Sequence, residues 1–490
     1  MGTVRRHSSR LLVVAVLTGC GGAASDGETA RYLDPRSDAV VAVDLDYEGG
    51  NWEQIKRLYG RGVEAADRDA PPTLDALLDE WASEVGLSFA DDVRPLLGGT
   101  LHVGVSADPA APEAREDPPT VFTATYRVEE PEALARLLEK LRGRGLEARP
   151  IDGVDGARRL AEGVATVGDD TIVAVVSDDD GAADRLLRER LSGSGDGPEV
   201  PELGDDFVAV RAAPTLLGAW FDRDELDRAL ATAAGRALRA AEASVRLDED
   251  AARADARVDF EGLDDDELPL PEAGPLELPA GESVVSGSGD QSRTTVFLAR
   301  LVRKLYPYSG FVRRVEALEQ SLGLRFEDEV LRQFAGPSFS VLRPAGPNGT
   351  EFGARSTLRD PAAMRELLPR LAPALPGILE SLKGLGSTGL TSLLLVAPDA
   401  PLTPGSFGML AAVRVSRLAG AASEQLYEVR GIDTHGVPEH VVYGIVGDAF
   451  VVGSTPELAR EVAAMSTEQA PEAATRLRDV VAEAELRWTR

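Results

Sequence analysis

One segment of this chain occurs twice, and that repetition constrains the fold more than any other feature. Residues 84–99 read EVGLSFADDVRPLLGG, and residues 321–336 read SLGLRFEDEVLRQFAG. Gly86, Leu87, Phe89, Asp91, Val93 and Gly99 recur as Gly323, Leu324, Phe326, Asp328, Val330 and Gly336. The pattern describes a helix stopped at a glycine, two apolar anchors and a second short helix with acids in its first turn. Ser88 and Asp91 have capping-box spacing. A strand follows in each copy, Thr100 to Val105 and Ser338 to Leu342.

The correspondence extends to both sides. Asp34-Pro35 followed by Ala39 to Val43 matches Leu278-Pro279 followed by Ser283 to Val285. Val121 to Val128 and then Pro131 matches Phe352 to Leu358 and then Pro361, an alternating strand running into a proline-initiated helix in both cases. Two hairpins with Gly-Asp turns close the copies, Val164 to Val176 around Gly168-Asp169 and Val441 to Val452 around Gly447-Asp448. Glycine at the first turn position marks a type II′ hairpin. A unit of this size is too long for a solenoid period. Consecutive strands with few long crossovers predict an α+β fold of two homologous lobes, each a mainly antiparallel sheet with helices packed on one face.

The predicted boundaries follow. Residues 1–19 read as a lipoprotein signal peptide, 20–31 as a tether, and 32–192 as the first repeat. Residues 193–262 form an inserted strand, helix and hairpin, with the helix over Leu216 to Ala241 and the hairpin flanking Asp248-Glu249-Asp250. Residues 263–277 read as an acidic linker, 278–466 as the second repeat, and 467–490 as a C-terminal helix ending near Trp488.

The N-terminus carries an address. Arg5, Arg6 and Arg10 precede the apolar run Leu11 to Leu17, which is sized for export and far too short to span a bilayer. Leu17-Thr18-Gly19-Cys20 closely resembles the bacterial lipobox, in which the cysteine is acylated and becomes the mature N-terminus. Cys20 is the only cysteine among 490 residues. An ordinary signal peptide cut after Ala24 is the other reading of Gly22-Ala23-Ala24. No later apolar run reaches the length of a membrane span, Leu393 to Ala397 being strand-sized. The expected location is the outer face of the cell membrane, with the chain exported and held there by acyl chains on Cys20.

The lipobox, the Leu33-Asp34-Pro35 lead into a first strand, the Gly86-Leu87-x-Phe89-x-Asp91-Asp92-Val93 segment and the Leu247-Asp248-Glu249-Asp250 hairpin resemble a family of exported bacterial proteins known as domain of unknown function 3352. The resemblance covers most of the mature chain. It implies export and the fold just described, and it implies no activity, cofactor or catalytic residue.

Charge and composition exclude several functions. The formal net charge is −30, and residues 1–19 carry three arginines and no acid. So acidic a chain does not fit nucleic-acid binding, which gathers Lys and Arg on one face. One cysteine rules out an intrachain disulfide and a cysteine-rich zinc site.

Apparent motifs read better as structure. Gly384-Leu385-Gly386-Ser387-Thr388-Gly389 spells GxGxxG, but a helix is predicted before it and a strand after it, the reverse of a dinucleotide site. Asp44-x-Asp46-x-Glu48 begins like an EF-hand, yet Ile55 stands where the bidentate glutamate is required. His435, Glu439 and His440 fit no zinc-protease spacing, and Gly436 and Pro438 break the helix such a site needs. His102 falls in a predicted strand and reads as a sheet residue. Asp178-Asp179-Asp180 reads as a helix cap.

No catalytic, metal-binding or cofactor-binding residue is therefore assigned, and Cys20 is the one site residue, for lipid attachment. The expected function is a non-enzymatic binding or envelope-structural module. Two alternatives stand beside it: a carrier of an apolar or lipid ligand, with Leu371 to Leu379 as lining, and an exported hydrolase using carboxylates. Expected partners are the membrane, through the acyl chains, and a basic protein or an apolar ligand. The acidic stretch from Asp248 to Glu282, with thirteen acids against two arginines, is the candidate contact for a basic protein.

Overall fold

The computed structural model describes residues 27–66, 71–107, 120–219, 223–262, 277–279, 285–372, 411–469 and 480–487, apart from 85, 146, 178, 180, 194–196, 250, 289–290, 306, 308–309, 335–337, 346–348 and 433–437. The chain divides into two compact units, residues 1–216 with 242–249, and residues 217–241 with 250–490.

The first unit contains β1 (Ala39–Asp44), β2 (Thr100–Ala107), β3 (Thr120–Arg127), β4 (Arg149–Pro150), β5 (Ala157–Ala161), β6 (Val164–Val167), β7 (Thr171–Ser177), β8 (Val208–Ala212) and most of β9 (Leu238–Leu247). Its sheet runs in the order β9-β8-β1-β2-β3-β7-β6-β5-β4. The ladders from β8 to β4 are antiparallel. The helices are α1 (Gly27–Ala30), α2 (Gly50–Ala66), α3 (Leu74–Glu84), α4 (Pro131–Arg142) and α5 (Ala182–Ser192). Strand β7 shows why the sheet is covered on both sides. Ile172 and Ala174 enter a core with Leu87, Phe89, Leu134 and Leu137, while Val173 and Val175 enter another with Leu186, Leu187 and Leu191 of α5. A continuous apolar run is what a strand buried on both faces requires.

The second unit contains β10 (Ala251–Phe260), β11 (Glu277–Pro279), β12 (Val285–Ser288), β13 (Ser338–Ala345), β14 (Gly349–Thr357), β15 (Ala411–Arg417), β16 (Glu424–Ile432), β17 (Pro438–Val446), β18 (Ala449–Gly453), β19 (Thr467–Gln469) and β20 (Val480–Arg487). Its helices are α6 (Arg223–Leu230), α7 (Ala233–Ala237), α8 (Gln291–Leu305), α9 (Gly310–Leu322), α10 (Pro361–Leu371) and α11 (Pro456–Ala464). The main sheet runs β12-β13-β14-β18-β17-β16-β15. It too has two cores. Tyr427 and Ile445 join Leu324, Met364 and Leu368 on one face, and Leu426, Val442 and Val451 join Leu458 and Val462 of α11 on the other.

Counted from its first strand, each sheet has one and the same order, first, second, third, seventh, sixth, fifth, fourth. The duplication is thus a property of the fold. The repeated segment is built alike in both copies. Gly86 and Gly323 take positive φ, +76° and +59°, and let the helix end in a left-handed turn in which Leu87 N donates to Ala82 O and Leu324 N to Glu319 O. The short helix that follows is a π-turn, Phe89–Val93 in one copy and Phe326–Val330 in the other. Its wider turn shifts the expected cap. Asp91 N does donate to Ser88 Oγ, but the carboxylate reaching back to Ser88 N belongs to Asp92, as Glu329 reaches Arg325 N. Phe89 is buried and Phe326 half-buried.

Several expected boundaries are corrected. The 20–31 tether is too long, because Thr29 and Ala30 are already buried in the first unit. The predicted helix over Leu216 to Ala241 is broken after Leu230, where Thr232 caps the start of α7, and it gives way to strand β9 at Leu238. The expected C-terminal helix is replaced where the structure describes it: residues 480–487 form β20, antiparallel to β10. Strand β20 also packs against β12, which gives it the place that β8 has beside β1. Helices lie on both faces of each sheet, α5 and α11 being the added layer. The helix after Asp178-Asp179-Asp180 is capped by Gly181 at φ +83°, with no side-chain bond.

Candidate functional site

The sequence-predicted site residue, Cys20, lies outside the described residues, as do Gly384 to Gly389, His435 and most of the acidic stretch 263–277. What the structure does show is how the chain that follows Cys20 joins the body. From Gly27 to Ser37 it lies on the face of the first sheet that α5 covers. The segment alternates so that Ala30, Tyr32 and Leu33 are buried, while Arg31, Pro35 and Arg36 are exposed. Tyr32 joins the core of Val121, Val173 and Leu187. Leu33 and Ser37 close over Gly104, where a Cβ would stand 2.7 Å from Ser37 Oγ. Gly197 covers the segment from outside, its absent Cβ leaving room for the Ala30 carbonyl.

Polar groups complete the dock. Asp34, the acid of the Leu-Asp-Pro motif, pairs with Arg190 near the end of α5, and their side chains are 2% and 9% exposed. Asp34 Oδ1 also accepts from Arg36 N at 3.0 Å. Thr29 Oγ1 meets His102 Nδ1 at 3.2 Å, so His102 is the buried sheet residue its position predicts. Glu28 and Asp170 share Arg127 at 2.6 and 2.7 Å. Their hydrogen bonds hold the Arg127 guanidinium charged beyond its ordinary range, Asp170 first.

A second cluster forms where β1 turns into α2, at the residues that imitate an EF-hand. Both carboxylate oxygens of Asp44 are bonded within the junction: Oδ1 accepts from Asp46 N at 2.9 Å and Oδ2 from Asn51 Nδ2 at 2.8 Å. Tyr47 is buried against Trp52 and Phe89, with ring centroids 5.1 and 5.2 Å away. Its hydroxyl donates to Asp75 Oδ1 at 2.6 Å, and Lys56 Nζ lies 4.0 Å from its ring centroid. Burial, then the bond to Asp75, pushes the phenol well above its usual pKa. In the second unit Glu327 of the π-turn accepts from Arg300 at 2.7 Å and Arg332 at 3.3 Å. Burial opposes its charge, but these arginines hold it below the usual range. Asp92 is held low in the same way, burial being outweighed by Lys140 and the Ser88 amide. Each shift moves its group further into the state it already has at neutral pH, so Tyr47 stays a neutral donor and Arg127, Asp92 and Glu327 act as fixed charges.

Among the described residues no group of three or more His, Cys, Asp or Glu is placed to hold a metal ion, and no helix is long and apolar enough to cross a membrane. Glu439 and His440 sit in β17 opposite Gly431 and Arg430, extended rather than helical. Sequence reasoning passed over Tyr47, Asp75 and Arg190. Only Asp34, within Leu33-Asp34-Pro35, had carried a signal.

The chain is similar to solved structures of TP0453. Crystal form III is 11% identical, with 50% of this chain and 83% of that chain covered and a TM-score of 0.26. Crystal form I is 8% identical, with 49% and 82% covered and a TM-score of 0.25. No family model matches the chain, and no curated protein does.

Proposed function

We propose that this protein is a lipid-anchored module on the outer face of the cell membrane, attached through Cys20, which works by binding or by bracing the envelope rather than by catalysis. The observation that carries the reading is the dock of Gly27 to Ser37. Residues 21–26 alone separate Cys20 from the packed chain. At about 3.3–3.6 Å per residue they hold Gly27 within about 25 Å of an acylated Cys20. The first unit then sits close to the bilayer, fixed by a buried ion pair and by Tyr32 and Leu33. The fixed charges at Asp92, Glu327 and Arg127 suit a rigid body better than proton-transfer chemistry, whose groups titrate near the working pH. Membership in domain of unknown function family 3352, suggested by the sequence motifs, belongs to the same proposal.

Fractionation of cells expressing wild type and Cys20→Ala tests the anchor. Wild type is expected in the membrane fraction, with a precursor accumulating under globomycin, and Cys20→Ala is expected to be released. A soluble wild-type protein beginning at Ser25 would refute the reading.

A further inference from the structure

The segment Gly27 to Ser37 is bonded to itself more than to the sheet beneath it. Tyr32 N donates to Thr29 O at 3.1 Å, Leu33 N to Ala30 O at 2.9 Å and Ser37 N to Asp34 O at 2.9 Å. The ladder into β2 starts only afterwards, with Asp38 N donating to Val105 O at 2.7 Å. The segment can therefore leave without breaking a rung of the sheet.

The surface it covers sets polar groups beside the apolar Val121, Val173 and Val175. His102 stands opposite Thr125 and Gly104 opposite Thr123 in the β2–β3 ladder. Thr123 and Thr125 are 1% and 0% exposed, and neither hydroxyl has a hydrogen-bond partner. Arg190 reaches from α5 to Asp34, and its buried Nε is likewise unpartnered. The repeat gives the second unit Phe339 and Val341 where the first has His102 and Gly104. There the two side chains pack into an apolar cluster with Leu458 and Val462. Opposite them in the ladder, Arg355 and Gly353 of the second unit stand where the first has Thr125 and Thr123.

We infer that Gly27 to Ser37 is a releasable strap, which undocks as a unit while β2, β3 and β7 stay paired. Tyr32 and Leu33 favour the closed state. Opening returns the Thr123 and Thr125 hydroxyls and Arg190 to water, which lowers the cost of this one step below that of unfolding the sheet. Release exposes His102, Thr123 and Thr125 on β2 and β3 and lengthens the lead from residue 20 through Ser37. The inference concerns the polypeptide alone and stands whether or not Cys20 carries lipid.

Hydrogen exchange of the purified full-length protein, read by mass spectrometry, tests it. In wild type, the Leu33 and Ser37 amides are expected to exchange at least about tenfold faster than those of 120–127, as sub-global opening requires. Asp34→Asn leaves the Arg190 charge buried without its partner. It is expected to speed strap exchange by about tenfold or more, with 100–107 and 120–127 unchanged. Thr123→Val with Thr125→Val is expected to slow strap exchange several-fold, because the covered surface loses groups that prefer water. Strap amides exchanging at the rate of 120–127 in wild type would overturn the inference. So would a valine pair that speeds strap exchange, since the hydroxyls would then be holding the strap down.

Discussion

Phe89→Ala and Phe326→Ala probe the repeated segment where its two copies differ in burial. Phe89 is 4% exposed and meets Tyr47 edge-on, with centroids 5.2 Å apart. Complete truncation of a buried phenylalanine costs about 3–5 kcal/mol, of which an aromatic edge contact accounts for about 0.5–1.5 kcal/mol. We expect about 4 kcal/mol for Phe89. Phe326 is half-buried beside Leu324, Val330 and Leu367. Burial energy scales with the area removed from water, so about 2 kcal/mol is expected there. Both backbone amides keep their partners, Asp79 and Glu319, since these bonds do not involve the ring. Urea titration read by hydrogen exchange, peptide by peptide, separates the units. Phe89→Ala should lower the midpoint of 120–127 and 171–177, leaving 349–357 and 449–453 in place, and Phe326→Ala should do the reverse with about half the free-energy change. Equal losses, or a larger loss at Phe326, would refute the burial argument. A simultaneous fall in all four peptides for either variant would refute the independence of the two cores.

Two further perturbations address the polar junctions. Tyr47→Phe removes the hydroxyl that donates to Asp75 and should cost the first unit about 0.5–1.5 kcal/mol in chemical denaturation, the net worth of one hydrogen bond. Glu327 has its pKa lowered in the folded state, so its stabilising contribution is complete above the unfolded value of about 4.3 and fades as the pH falls through the folded value. Glu327→Gln should therefore destabilise the second unit at pH 7 and flatten its loss of stability below about pH 4. An acid limb of unchanged slope would show that Arg300 and Arg332 do not set that pKa.

The sequence made the duplication legible because the repeated segment is written in residues with narrow conformational roles. Glycines at positive φ, a proline starting each strand-to-helix junction and acids closing a π-turn leave few alternatives. Strands β4, β5, β15 and β16 went unread because they are the outer strands of their sheets and carry charges, as Arg158 and Arg159 do in β5 and Arg414 and Arg417 in β15. Charged outer strands resist pairing with other chains, and the same charges mask their period. Residues 480–487 misled for a different reason. VVAEAELR is rich in helix formers, yet its Ala482, Ala484 and Leu486 alternate with Glu483, Glu485 and Arg487 at the period of a strand. Pairing with β10 overrides the propensity. The dock was half legible: Asp34 stood out in its motif, but nothing local points from it to Arg190, 156 positions further along the chain.

The placement of β20 also bears on how the second unit is assembled. In its register with β10, Ala251 faces Arg487 and Ala254 faces Ala484. Strand β10 therefore leaves the ribosome long before its partner exists. Closing so long a loop adds little to the equilibrium cost, because loop entropy grows only logarithmically with length. The kinetic cost is larger, since pairings between distant segments form slowly. At about 5–20 residues per second, synthesis of the intervening chain takes tens of seconds, and through that time β10 offers an unpaired edge. Its sequence alternates arginines and aspartates, Arg253, Asp255, Arg257 and Asp259, and charges in an outer strand discourage adventitious strand addition during the wait.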